Sequence, residues 1–158
     1  MYNILIASVL ILLDQWFKVI AVSHLKGQAA VTFIPHIIGF RYAENTGAAF
    51  SILSGKVDFL IIITAIALAA VAFFVFTHKF DNKFEEICFM LIFAGGVGNL
   101  IDRIVQGKVV DYLEFLFIDF PIFNFADILV CCGVGLYAIY TVSTEFILKN
   151  KKDKGTDD

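Results

Sequence analysis

The chain is 158 residues long, 59% hydrophobic and only 17% charged, whereas an ordinary soluble domain carries about 25% charged residues; this excludes a water-soluble globule and indicates one membrane-embedded unit over residues 1–158. A formal net charge of −3, with no basic stripe interleaved with aromatics, excludes nucleic acid as a partner. His24, His36 and His78 are scattered and Cys88, Cys131 and Cys132 lie in apolar runs, so no metal cluster is expected and the cysteines read as small buried hydrophobes.

Four segments approach the roughly 20 apolar residues needed to span a bilayer: residues 2–22, 59–76, 87–105 and 125–148. The first lacks a basic leader region and a small-x-small cleavage site, so it is expected to be a retained span. It carries Asp14 and Lys18, four residues apart on one helix face. These either neutralise each other inside the bundle, or Asp14 faces a polar cavity and holds substrate.

An outer β region over residues 27–56 follows, punctuated by Pro35, Gly39, Gly47 and Gly55. Val31-Thr32-Phe33-Ile34 and residues 37–42 suit short strands, which predicts a small sheet on the membrane surface. Asn45-Thr46-Gly47 is expected to turn beside it; Asn45 serves that turn or reaches the same cavity as Asp14. Ser51, Ser54 and Lys56 are accounted for by loop polarity better than by a Ser-Lys hydrolase.

The second span has no charge, and a short connection joins it to the third on the opposite side. In the third span Ala94, Gly95, Gly96 and Gly98 form a small-residue face, expected to allow close helix packing with Ala94 and Gly98 as a small-xxx-small pair. Asn99 needs a partner there. Asp102 and Arg103 are adjacent, point in different directions and so require separate partners; Arg103 either snorkels to lipid phosphate or orders the loop carrying Asp111. Residues 108–123 are richly aromatic and include Asp111, Glu114 and Asp119, which predicts an interfacial segment rather than a free loop. Asn124 and Asp127 open the fourth span, where an Asn cap and a first-turn Asp favour a helix start.

Lys79, Lys83, Lys149, Lys151, Lys152 and Lys154 fall on one side, against Lys26, Arg41, Lys56, Arg103 and Lys108 on the other. The clustered tail favours a cytoplasmic location for both termini. Asp111 then follows the outer end of span three, and Asp127 lies one turn inside the outer end of span four. Each has a structural explanation, Asp127 as part of the cap and Asp111 as a residue snorkelling beside Lys108. Together they suggest chemistry, because two carboxylates a few ångströms apart cannot both ionise readily and share a proton. The ionised partner can take a proton from water while the other polarises a scissile carbonyl.

Five blocks carry a wider likeness: Asp14-Gln15-x-x-Lys18, residues 45–51 (Asn-Thr-Gly-Ala-Ala-Phe-Ser), Gly95-Gly96-x-Gly98-Asn99-x-Ile101-Asp102-Arg103, Val109-Val110-Asp111, and Phe123-Asn124-x-Ala126-Asp127. In this order, over nearly the whole chain, they resemble the bacterial lipoprotein signal peptidases (signal peptidase II). The chain departs slightly from that pattern, with Tyr112 where Phe is common and Val97 where Ala or Leu is frequent.

The resemblance implies a four-helix membrane peptidase of aspartic type, with Asp111 and Asp127 as the catalytic pair. It implies that Asp14, Asn45, Asn99, Arg103 and Asn124 line or support the substrate site; Lys18, Gly47 and Asp102 lie in the same blocks and are assigned supporting positions with them. It also implies a prolipoprotein substrate with a diacylglyceryl-modified cysteine, cut on that cysteine's N-terminal side at the extracytoplasmic face of the bacterial cell membrane. No cofactor and a monomer are expected. The alternative class is a small proton-linked transporter or channel, which predicts acids spread through the membrane's depth; a purely structural subunit leaves the buried acids without a purpose.

Overall fold

The computed structural model describes residues 2–48, 52–77, 80 and 82–154; Ser51, His78 and Lys79 lie outside them. In chain order the elements are α1 (Tyr2–Leu25), β1 (Val31–Ile34), β2 (Ile38–Asn45), α2 (Val57–Thr77), α3 (Lys83–Gln106), β3 (Val109–Phe115) and α4 (Phe125–Lys154). All four helices are long and apolar enough to cross a membrane. They overrun the expected spans because caps, not hydropathy, end a helix. α3, for example, begins at Lys83, where the Asn82 side chain accepts from the Glu85 backbone N–H at 2.9 Å.

α3 is the central helix, packed against α1, α2 and α4, most extensively against α4. The glycines explain the closeness. A Cβ on Gly95 would collide with the Ala126 carbonyl oxygen, one on Gly96 would lie 2.6 Å from Leu68 of α2, and one on Gly133 would lie 2.6 Å from the Cys88 carbonyl. Gly98 differs from the expected small-xxx-small partner of Ala94. Ala94 packs with Ala7, Met90 and Leu129, whereas Gly98 makes room for the Asp14 carboxylate. Away from α3 the helices present large apolar side chains such as Leu12, Phe73 and Ile139, a surface suited to lipid.

The three strands form an antiparallel sheet in the order β1-β2-β3. Two were expected; the third lies inside the segment anticipated only as interfacial. β2 pairs with β3 so that Ala43 faces Asp111 and Asn45 faces Val109. Val110 and Tyr112 pack on Ala21, with Phe17, Val22 and Leu25 around them, seating the sheet on the C-terminal end of α1. The cysteine expectation needs a correction: Cys88 is buried, but Cys131 and Cys132 are exposed on α4. An apolar run does not separate a core face from a lipid face, because both environments are apolar.

Candidate active site

The local fold brings Asp111 and Asp127 to one place. α3 ends at Gly107, whose positive φ of 67° lets its N–H turn back to the Arg103 carbonyl at 3.0 Å, and the chain enters β3 directly. After β3 it leaves and returns at Phe123, which exchanges backbone hydrogen bonds with Leu113 at 2.9 and 2.8 Å. Asn124 therefore begins α4 beside Asp111. It caps the helix reciprocally: the Asp127 N–H donates to Asn124 Oδ1 and the Asn124 N–H donates to Asp127 Oδ2, both at 3.0 Å. The same side chain donates through Nδ2 to Asp111 Oδ1 at 2.6 Å. One amide thus touches both aspartates.

Two further amides complete the set. Asn45 Nδ2 donates to Asp111 Oδ2 at 3.1 Å, and Asn99 Nδ2 donates to Asp127 Oδ1 at 2.7 Å. Every oxygen of the two carboxyls therefore has an N–H donor. Asn45 also accepts from the Gly47 N–H at 2.8 Å, so it serves the turn and reaches the cavity. Asp111 is 3% exposed. Burial, and secondarily the charge of Asp127, push its carboxyl up to about 7, against the opposing pull of the Asn45 and Asn124 donors and the Lys18 charge. Lys108, the expected snorkelling companion of Asp111, instead pairs with Glu44 at 2.7 Å.

Behind this pair lies a second acidic cluster. Lys18 Nζ sits 2.9 Å from Asp14 Oδ2 and 3.0 Å from Asp102 Oδ2, and it donates to Asn99 Oδ1 at 3.0 Å. The Ala126 N–H of the first turn of α4 donates to Asp14 Oδ1 at 3.0 Å, and the Val110 N–H donates to Asp102 Oδ2 at 3.2 Å. Asp102 and Arg103 do have separate partners. Arg103 Nη2 donates to the Gly47 carbonyl at 2.8 Å and Nη1 to the Asn99 carbonyl at 3.4 Å, while its buried Nε has no hydrogen-bond partner among the described residues. It braces the turn after β2 rather than the loop carrying Asp111. Among the described residues no group of His, Cys, Asp and Glu is placed to hold a metal ion.

A family model for signal peptidase (SPase) II matches residues 6–143 of the chain. The chain belongs to this family. Among curated relatives, a lipoprotein signal peptidase of Staphylococcus aureus is 40% identical over 154 residues, covering 96% of this chain and 93% of that protein. The enzyme of the same name from strain Newman of that species matches to the same extent. Two solved structures, each of a bacterial membrane enzyme by the in meso method, are similar to it. One has a TM-score of 0.81 at 37% identity, covering 90% of this chain and 88% of that one; the other has 0.80 at 39%, covering 89% and 92%. The chain is thus a multi-pass membrane peptidase.

Within this signal peptidase II fold, two residues outside the sequence-based site list sit in the polar centre. Gln15 Nε2 lies 3.1 Å from Asp102 Oδ1, 3.2 Å from the Gly98 carbonyl and 3.2 Å from Asp14 Oδ2. Gly98 admits the Asp14 carboxylate. A signal existed for Gln15, since an amide inside an apolar helix needs partners as much as Asn99 does.

Proposed function

We propose that the chain is an aspartic endopeptidase in which Asp111 and Asp127 are the catalytic pair. It removes signal peptides from diacylglyceryl-modified prolipoproteins by cutting on the N-terminal side of the lipidated cysteine. One observation carries this reading: Asn124 holds both carboxyls, donating its side-chain amide to Asp111 Oδ1 and its backbone N–H to Asp127 Oδ2, and among the described residues neither carboxyl forms a salt bridge.

The pair holds a single proton, which belongs to both residues. Its ionised member takes a proton from water, whose oxygen attacks the scissile carbonyl. Its protonated member donates to the carbonyl oxygen, giving a tetrahedral diol. As the C–N bond breaks, the proton taken from water passes to the leaving nitrogen, and a diol proton returns to the other carboxylate. One water is consumed and the pair is restored.

The acyl chains of a diacylglyceryl cysteine hold the bond beside it at headgroup depth. The site lies where α1 and α3 end and α4 begins, which matches that depth. The lysine-rich tail at the other end of α4 supports cytoplasmic termini and an extracytoplasmic site. All contributing side chains come from one chain, so a monomer working as a single domain suffices. The transporter alternative is disfavoured, because Asp102, Asp111 and Asp127 gather at one end of the bundle instead of stepping through it.

The test is turnover of a lipidated precursor by purified Asp111→Asn and Asp127→Asn proteins. Each is expected to be folded and inactive; near-wild-type turnover by either would remove the catalytic assignment. A precursor lacking the diacylglyceryl group is expected to be cut far more slowly, and equal cleavage would keep the peptidase but discard the lipid requirement.

A further inference from the structure

The ammonium of Lys18 has three N–H bonds and three acceptors: Asp14 Oδ2 at 2.9 Å, Asp102 Oδ2 at 3.0 Å and Asn99 Oδ1 at 3.0 Å. Lys18 is 3% exposed, Asp14 0% and Asp102 1%, so water does not compete for these bonds. The two carboxylates anchor the ammonium, with Gln15 and the backbone N–H groups of Ala126 and Val110 filling other sites on them. The third N–H points at a neutral amide, which charge balance alone does not require.

That contact decides which way the amide faces. Asn99 Oδ1 accepts from Lys18 and also from Asn124 Nδ2 at 3.1 Å. Rotating the Asn99 amide by half a turn would set its NH2 against an ammonium and a second NH2, and its oxygen against the Asp127 carboxylate. Three repulsive contacts would replace three attractive ones. Lys18 therefore keeps Asn99 Nδ2 on Asp127 Oδ1 at 2.7 Å. The direction passes on: Asn124, its Oδ1 held by the Asp127 N–H, donates through Nδ2 to both Asn99 Oδ1 and Asp111 Oδ1.

We infer that Lys18 is a positioning residue for peptide cleavage, acting through Asn99 to fix the direction of the amide donors that hold both aspartates. The inference rests on Asp111 and Asp127 being the catalytic pair. Charge neutralisation and orientation are then two separable roles of one side chain. Asp14 and Asp102 need the first, and Asn99 needs the second.

Lys18→Met alone doubles the cluster's uncompensated negative charge and invites misfolding, so the working variant is Asp14→Asn with Lys18→Met, which removes one charge of each sign and leaves the cluster's net charge as in wild type. Single-turnover cleavage of a lipidated precursor with enzyme in excess is measured for four proteins: wild type, this paired variant, Asn99→Ala, and all three changes together. In the wild-type background the paired change is expected to lower the maximal rate on the order of 10²-fold, the penalty typical of a misplaced reacting group, with half-saturation changed less than about threefold. In the Asn99→Ala background the same change is expected to cost less than about threefold, because the amide it orients is gone.

An undiminished rate loss in the Asn99→Ala background would overturn the inference, as would a loss confined to half-saturation with the maximal rate intact. Neither outcome touches the catalytic pair, which Asp111→Asn and Asp127→Asn test separately.

Discussion

Asp14 and Asp102 share an ammonium at 2.9 and 3.0 Å, while Asp111 and Asp127, bridged to that cluster by Asn99, take their hydrogen bonds among the described residues from amides and backbone N–H groups. An ammonium pairs with a buried carboxylate and ties the helices that carry the two groups together. Amide donors orient a carboxylate without cancelling its charge, so burial and the neighbouring Asp127 can push the Asp111 carboxyl up to about 7. Arg103 acts on the pair through its charge alone, since its guanidinium hydrogen-bonds the carbonyls of Gly47 and Asn99 and not the two carboxyls. The buried acids thus divide by the kind of donor they meet: Asp14 and Asp102 share a cation, while Asp111 and Asp127, the proposed catalytic pair, are held by amides.

The largest effect expected on either side of that division is the loss of chemistry at the amide-held pair. Asp111→Asn or Asp127→Asn should lower the cleavage rate on the order of 10⁴-fold, the upper range for positioned acid–base groups, with the melting temperature in detergent nearly unchanged. On the ion-paired side the signature reverses. Lys18→Met leaves buried Asp14 and Asp102 without their cation and should destabilise the fold by about 3–5 kcal/mol, read as a lowered melting temperature before any assay is run. A melting temperature that stays at the wild-type value would mean the two clusters are not held differently after all.

The sequence shows part of this contrast directly. Carboxylates in strongly apolar sequence are costly, which marks Asp14, Asp102, Asp111 and Asp127 alike; shared depth and the family resemblance are what set Asp111 and Asp127 apart, and the four spans follow from composition. β3 is hidden because Val109-Val110-Asp111-Tyr112-Leu113-Glu114-Phe115 is covered on both faces in its first half, which erases the alternation that marks a half-buried strand. Asn124 illustrates a different limit. Its position before a helix is fully explained by capping, and nothing local reveals that the other end of the same amide meets Asp111. Gly98 likewise looks like a packing residue until the Asp14 carboxylate is found against it. Contacts between α1, β3 and the start of α4 are set by tertiary geometry, and only their ingredients are legible in the chain.

Proton sharing gives a smaller, graded effect. Burial and the neighbouring charge of Asp127 hold the Asp111 carboxyl up to about 7, so kcat/KM, which reports the free enzyme, should descend about tenfold per pH unit above that point. Stability follows the same group. A carboxyl whose folded value is raised binds its proton more tightly in the native state, so its stabilising contribution is full below the ordinary value of 3.8 and is lost as pH rises through about 7. The wild-type melting temperature should therefore fall between pH 4 and pH 8 relative to that of Asp111→Asn. Parallel pH curves for the two proteins would show that Asp111 titrates at an ordinary value and that the pair does not share a proton.

The smallest effect is expected where an ion cluster faces water. Glu44 accepts from Lys26 at 3.1 Å, Tyr42 at 2.8 Å and Lys108 at 2.7 Å, linking the chain just after α1, β2 and the start of β3. These donors, Lys108 first, hold its carboxyl down at about 2, so whatever it adds to stability is present above 4.5 and vanishes only as pH falls toward 2. Yet Glu44 is exposed, and exposed ion pairs contribute little because water and salt compete for both partners. Glu44→Gln should leave kcat/KM and the melting temperature at pH 7 unchanged within error, although it breaks more ionic contacts than Asp127→Asn. A marked loss of stability from that substitution would mean burial is not what separates the consequential acids of this protein from the ornamental ones.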